Sequence, residues 1–163
     1  MPDFNIKLVS SQQDLVSLTA RLDTASAIAI DIETVNWWDR RIERVALVQV
    51  AFRENHQLRV AIVDALAKLD LEPLRPHLEH STVMKVMHNA AYDAVHLANH
   101  FRIHTSPIHD TMLAARRGGE KRYSLQAQAQ THLRVHLEVV DKSGGMIKTI
   151  EHGYHHPQMS SLC

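Results

Sequence analysis

The chain reads as one α/β domain on a mixed β-sheet, and three observations carry that expectation. Three β-branched-rich runs follow one another at 27–33, 45–52 and 58–64. A further run at 82–89 then alternates with segments of helical spacing. The length, 163 residues with 45% apolar content, suits a single core held without disulfides.

The elements justify themselves in order. IKLV, 6–9, is a short strand, and the segment 10–23 is a helix with apolar residues at 15, 18 and 22 and Ser10 or Ser11 as its cap. AIAIDIE, 27–33, is a strand ending in acids. VALVQVAF, 45–52, and LRVAIVD, 58–64, flank the polar turn RENHQ and so form a hairpin. LEPLRPHLE, 71–79, is a short helix limited by its prolines. TVMKVMHN, 82–89, is a strand running into a polar end, which joins the three antiparallel strands before it. Helices follow at 91–101, at 110–117 before Gly118-Gly119, and at 124–133 behind a Ser124 cap. From Asp141 the pattern dissolves, so residues 1–143 are taken as the domain and 144–163 as an irregular tail.

Composition narrows the function classes. Eighteen basic and eighteen acidic residues balance, so there is no bulk positive field for gripping long nucleic acid. A nucleic-acid ligand would be held locally, which suits a short single-stranded end. No apolar run approaches a membrane span, and no leader pattern opens the chain, so no membrane partner is expected. The single cysteine, Cys163, excludes an intrachain disulfide and fits a cytoplasmic location. A homo-oligomer is left open.

The sharpest local feature is IAIDIET. Asp31 and Glu33 sit two residues apart on a strand and therefore share a face. Two such carboxylates repel unless a cation separates them, and hard divalent ions prefer oxygen ligands. A solvated strand end explains the pair equally well on spacing alone. MHNAAYDAVHL offers Asn89 as a helix cap and Asp93 in the first turn, where the helix dipole favours an acid with or without a function. The histidines, 13 in all, include His96, His100 and His104 at four-residue spacing, a weak zinc pattern with no cysteine or acid to complete it.

D-x-E at a strand end followed by N-x-x-x-D at a helix start resembles the first two exonuclease motifs of the DEDD superfamily. HDTMLAARR, 109–117, is similar to that family's Asp-Thr segment, and YSLQAQAQTHLRVHLEVVDKS, 123–143, is similar to a stretch of ribonuclease D. The resemblance covers residues 26–143 and implies a ribonuclease H-like fold. It implies a 3′–5′ exonuclease acting on single-stranded RNA or DNA ends, with two Mg²⁺ or Mn²⁺ ions about 4 Å apart. By the same resemblance Asp31 is the acid that bridges both ions, Glu33 binds one of them and the terminal nucleotide, and Asp93 binds the second. Asp110 matches an acid outside the ligand set. Thr34, His88 and Asn89 fall on the substrate side.

Two departures stand out. Val35-Asn36-Trp37-Trp38 follows Thr34, where adjacent tryptophans could stack a base or pack on the sheet; Arg40, Arg41 and Arg44 come next. The family's third motif, a tyrosine followed by a metal-binding aspartate on a late helix, has no match. The 21 residues after Lys142 contain no aspartate, and Tyr154-His155-His156-Pro157-Gln158 places Gln158 where the acid would stand. The expectation is therefore a weakened exonuclease; the alternative is an inactive domain that binds a nucleic-acid end or a protein.

Overall fold

In the computed structural model, residues 5–80 and 82–137 are described. The chain falls into two compact units, Pro2–Ala114 and a second formed mainly by Ala115–Cys163. The expected boundary near 143 and the tail beyond it lie outside the described residues.

The first unit is built on a six-stranded sheet of order β1-β4-β3-β2-β5-β6. Its strands are β1 (Asn5–Val9), β2 (Ala27–Val35), β3 (Arg44–Glu54), β4 (Gln57–Asp64), β5 (Met84–Met87) and β6 (Ile108–Asp110). β2, β3 and β4 are consecutive antiparallel neighbours, as the sequence predicts, while β1 runs parallel to β4. The β3–β4 hairpin turns on Asn55 and His56, both at positive φ (50° and 63°), the geometry of a two-residue turn matched to strand twist. β5 and β6 extend the sheet parallel to β2. This mixed sheet with flanking helices is the ribonuclease H-like α/β fold.

Alternation along β2 explains how the site is presented. Ile28, Ile30 and Ile32 are buried against the core, so Ala27, Ala29, Asp31 and Glu33 face the other way. The core also takes Val48, Val50 and Phe52 from β3 and Leu15, Leu18 and Leu22 from helix α1 (Gln12–Leu22). Ser11 caps α1 by accepting from the Asp14 N–H at 3.2 Å. The helix expected at 71–79 is a 3₁₀ turn, Glu72–Leu74, followed by the short α2, Arg75–Glu79; Pro73 and Pro76 each remove a backbone donor. Helix α3 spans Ala90–Phe101 and α4 Thr111–Arg117. β6, a three-residue strand before α4, carries too short a pattern to read from sequence.

In the second unit the helix expected at 124–133 is only α5, Leu125–Gln128, with Ser124 as its cap, running into a π turn, Ala129–Leu133. Gln128 and His132 both reach the Glu120 carboxylate, at 2.6 and 2.9 Å. No helix among the described residues is long and apolar enough to cross a membrane.

Lys85 is a local conflict in this fold. Its register on β5 puts it on the core side with Met87, and it is fully enclosed. Its Nζ donates to the His80 carbonyl at 2.8 Å, and burial holds its pKa below the usual lysine value. A lowered pKa means that the unfolded chain binds more protons in the interval below the ordinary value, so stability rises with pH there. Lys85→Met should raise stability at neutral pH by about 1 kcal/mol or more, since a buried charge gives way to an apolar chain of similar length. The gain should shrink as pH climbs through the lysine range. Urea unfolding of both proteins at neutral and alkaline pH measures this; a destabilised variant would show that the hydrogen bond outweighs the desolvation.

Candidate active site

The predicted residues gather at the carboxyl ends of three adjacent parallel strands. β2 contributes Asp31, Glu33 and Thr34; β5 leads into His88 and Asn89; β6 ends in Asp110. Such strand ends are where open α/β sheets form crevices. The β2–β5 pairing stops at Ala29↔Val86, because after Met87 the chain leaves the sheet for α3. The β2 backbone beyond Ala29 therefore lacks a β5 strand partner. Asp93, in the first turn of α3, fills that gap: its Oδ1 accepts the Ile32 N–H at 3.1 Å. The acid of the second motif is thus bound to the backbone between the two acids of the first.

The electrostatics follow from that placement. Asp93 is 4% exposed. Burial pushes its pKa up to about 6, the Ile32 N–H opposes the rise, and the Asp31 charge adds to it. Asp31 is raised as well, by burial first, with His88 pulling the other way. Gln49, the cross-strand partner of Asp31, donates Nε2 to its Oδ2 at 3.3 Å. Two carboxylates whose burial raises their proton affinity, with the Asp31 charge adding to the rise at Asp93, fit a hard divalent cation. Glu33 lies on the same face of β2, yet no group of three histidine, cysteine or acidic side chains able to hold a metal is assembled among the described residues. The zinc pattern fares no better. His96 and His100 stack at 5.8 Å, while His104 lies beyond the end of α3.

Around the acids, the ladder skips Ala46 between Glu33↔Leu47 and Thr34↔Val45, a β-bulge in β3 opposite the site. Thr34 Oγ1 and the Tyr92 hydroxyl are 2.9 Å apart; that hydroxyl reaches Glu43 at 3.4 Å, and Glu43 lies 3.1 Å from His96 Nε2. The Tyr92 and His96 rings lie against each other at a tilt, centroids 4.2 Å apart. Sequence reading missed Gln49, Glu43, Tyr92 and His96 as site neighbours. The β2–β3 register would have found Gln49, and the i, i+4 spacing on α3 the ring pair.

His88 Nδ1 sits 2.9 Å from Thr111 Oγ1, whose single hydrogen goes to the Met87 carbonyl at 3.1 Å. Nδ1 must then be the donor of that pair. Asn89 holds the N-cap position of α3, as the sequence predicts. Its side chain makes no cap bond, and it adopts the left-handed conformation (φ 60°, ψ 51°) that asparagine tolerates. Asp110 caps α3 instead, accepting the Asn89 and Ala90 N–H groups at 3.1 and 2.9 Å, and it also accepts Met112 and Leu113 at the start of α4. Burial raises its pKa, but the four backbone donors outweigh burial and the net shift is downward. The stability it gives is present above the carboxylate range and lost as pH falls through the lowered pKa. Asp110→Ala should cost about 2 kcal/mol, one cap for each helix, and flatten the acid limb of a pH–stability curve. A loss within error in urea unfolding would remove the capping role.

Trp37 and Trp38 sit in the loop between β2 and β3, 55% and 68% exposed, with ring centroids 6.1 Å apart and edge to face. Packing on the sheet, the bland expectation for them, is not what the loop does with Trp38. A separate cleft between α1, β1 and β4 is lined by Lys7, Asp14, Arg21 and Arg59. Its cations are already paired, Lys7 with Asp14 and both arginines with Glu54.

Comparison with known proteins identifies the family and the fold. Residues 6–146 match the model of the 3′–5′ exonuclease family. The fold matches the catalytic core of Trypanosoma brucei RRP6 (23% identity, TM-score 0.71, 83% of this chain and 37% of that one). It matches Escherichia coli RNase D, an exoribonuclease (24%, 0.69, 83% and 35%). It also matches Brucella melitensis NrnC bound to pGG (20%, 0.62, 85% and 66%). The chain belongs to the DEDD 3′–5′ exonuclease family, with a ribonuclease D-like fold. It spans between about a third and two thirds of the length of those structures. No curated protein matches it.

Proposed function

We propose that this chain is a 3′–5′ exonuclease domain that hydrolyses phosphodiester bonds at single-stranded 3′ ends. The supporting observation is the Ile32–Asp93 hydrogen bond, which brings the second-motif acid to the first-motif strand at 3.1 Å. Asp31 and Asp93 would hold a divalent cation, and Glu33, on the same face of β2, is the third carboxylate. Mg²⁺ or Mn²⁺, when bound, would supply an activated water and neutralise charge on the departing 3′ oxygen. Thr34, His88 and Asn89 border the same strand ends and are assigned to the terminal nucleotide. RNA is the first substrate to test, since RNase D is an exoribonuclease and NrnC holds pGG.

The second reading is a domain that holds a nucleic-acid end and cuts it poorly. It rests on the acids themselves: among the described residues no three histidine, cysteine or acidic side chains come together to hold a metal. One experiment separates the two: the same single-stranded RNA labelled at its 5′ or its 3′ end, incubated with Mn²⁺. The exonuclease reading expects a descending ladder from the 5′ label, immediate release of mononucleotide from the 3′ label, and neither in EDTA. Binding without shortening supports the second reading; internal cuts refute both.

A further inference from the structure

Trp37 and Trp38 are the chain's two tryptophans. They are adjacent, and Trp38 shows 68% of its surface to solvent. An indole this open to water forgoes much of its burial energy, so the exposure of Trp38 calls for a reason. The loop beneath them is tightly tied. Asn36 turns at φ 59° and its Nδ2 donates to the Ile42 carbonyl at 3.2 Å. Asp39 donates its N–H to the Asn36 carbonyl at 3.0 Å, and its own carbonyl accepts from Ile42 and Glu43 at 3.0 and 2.9 Å. The edge-to-face contact, 82° between ring planes, lets Trp37 buttress Trp38. Rings held this way lose little freedom when a ligand stacks on them.

The charges on the loop complement that surface. Asp39 engages Arg41 through two hydrogen bonds of 3.0 and 2.8 Å. Arg40 and Arg44 are exposed and make no ion pair among the described residues. An indole face beside available guanidinium groups is the combination that holds a base and its phosphate.

We infer that Trp38, backed by Trp37 and flanked by Arg40, is a stacking subsite for a nucleobase upstream of the scissile bond in a single-stranded substrate. The inference rests on the exonuclease reading and adds a length preference to it. Trp38 stands five positions after Glu33, a reach of at most about 17 Å at about 3.3 Å each. Stacked nucleotides rise about 3.4 Å, so the base on Trp38 is the third to fifth from the 3′ end. A dinucleotide falls short of the platform and a hexanucleotide covers it. Stacking of one base corresponds to about 5- to 150-fold in affinity.

Because both tryptophans lie in the loop, intrinsic fluorescence reports on it directly. The full chain carrying Asp31→Asn, in Mg²⁺, is titrated with unlabelled hexa-adenylate and di-adenylate RNA. Hexa-adenylate should quench tryptophan emission, and di-adenylate should not. Adding Trp38→Ala should weaken hexa-adenylate binding, followed by anisotropy of a labelled strand, about 5- to 150-fold, with Trp38→Phe recovering most of it. In the otherwise unmodified chain, Trp38→Ala should collapse the ratio of kcat/KM for the hexanucleotide over the dinucleotide. If hexa-adenylate binds with unchanged emission, or Trp38→Ala leaves that ratio intact, the subsite is refuted and the exonuclease reading stands. If no oligonucleotide binds at all, both fail together.

Discussion

Replacing Asp31 with asparagine is expected to lower exonuclease turnover at least about 100-fold while leaving the fold intact. Losses in the shell around a metal's ligands already cost about 10–100-fold, and a ligand itself should cost no less. The substitution is nearly isosteric. Asparagine still offers an oxygen to Gln49, whose Nε2 lies 3.3 Å from Asp31 Oδ2, and the β2–β3 register does not depend on the charge. What disappears is one negative charge beside Asp93. That charge contributes to the raised pKa of Asp93, so Asp31→Asn should also lower it, a titration visible by carboxyl NMR without any catalysis. The two readouts discriminate. A shifted Asp93 titration with full turnover, in protein cleared of contaminating nuclease, would keep the geometry and remove Asp31 from the chemistry.

The legible part of this site was the part written in local periodicity. Alternation in AIAIDIET put three isoleucines inward and both acids outward, and β2 is built that way. The order strand, hairpin, strand, helix also followed from local pattern. What stayed hidden depends on which elements end where. Asp93 meets Ile32 because β5 stops pairing at Val86 and leaves a backbone N–H for a side chain 61 residues away to take. Asp110 caps α3 because β6 ends beside β5, and no spacing within HDTMLAARR announces a bond to Asn89 or Ala90, 20 residues earlier. Asn89 stands at the N-cap of α3 as its residue type suggests, yet the capping hydrogen bonds come from Asp110. Lys85 shows the reverse case: strand register, fixed by its neighbours Met87 and Val86, overrides the preference of a lysine for water.

Asp93 should also make the metal-free protein lose stability as pH rises. Its folded pKa of about 6 lies above the unfolded value of about 3.9. Between those values the folded state binds more protons, so the unfolding free energy falls as pH rises from about 4 to about 6 and stays low above. Two pKa units correspond to about 3 kcal/mol. Asp110 is shifted the other way and favours the folded state as pH rises, so the raw curve mixes both. The difference between wild type and Asp93→Asn isolates the Asp93 part. Asparagine keeps an acceptor for Ile32 and carries no charge to bury, so the variant should match wild type near pH 4 and exceed it by up to about 3 kcal/mol near pH 8. Urea unfolding in EDTA across that range measures the gap. Adding Mn²⁺ should close it, because a cation that binds the folded state stabilises wild type by mass action and gains less from the variant. Parallel curves for the two proteins would mean that Asp93 carries no buried-charge penalty. A gap that Mn²⁺ leaves open would mean that the penalty is real but that a cation at this site does not relieve it.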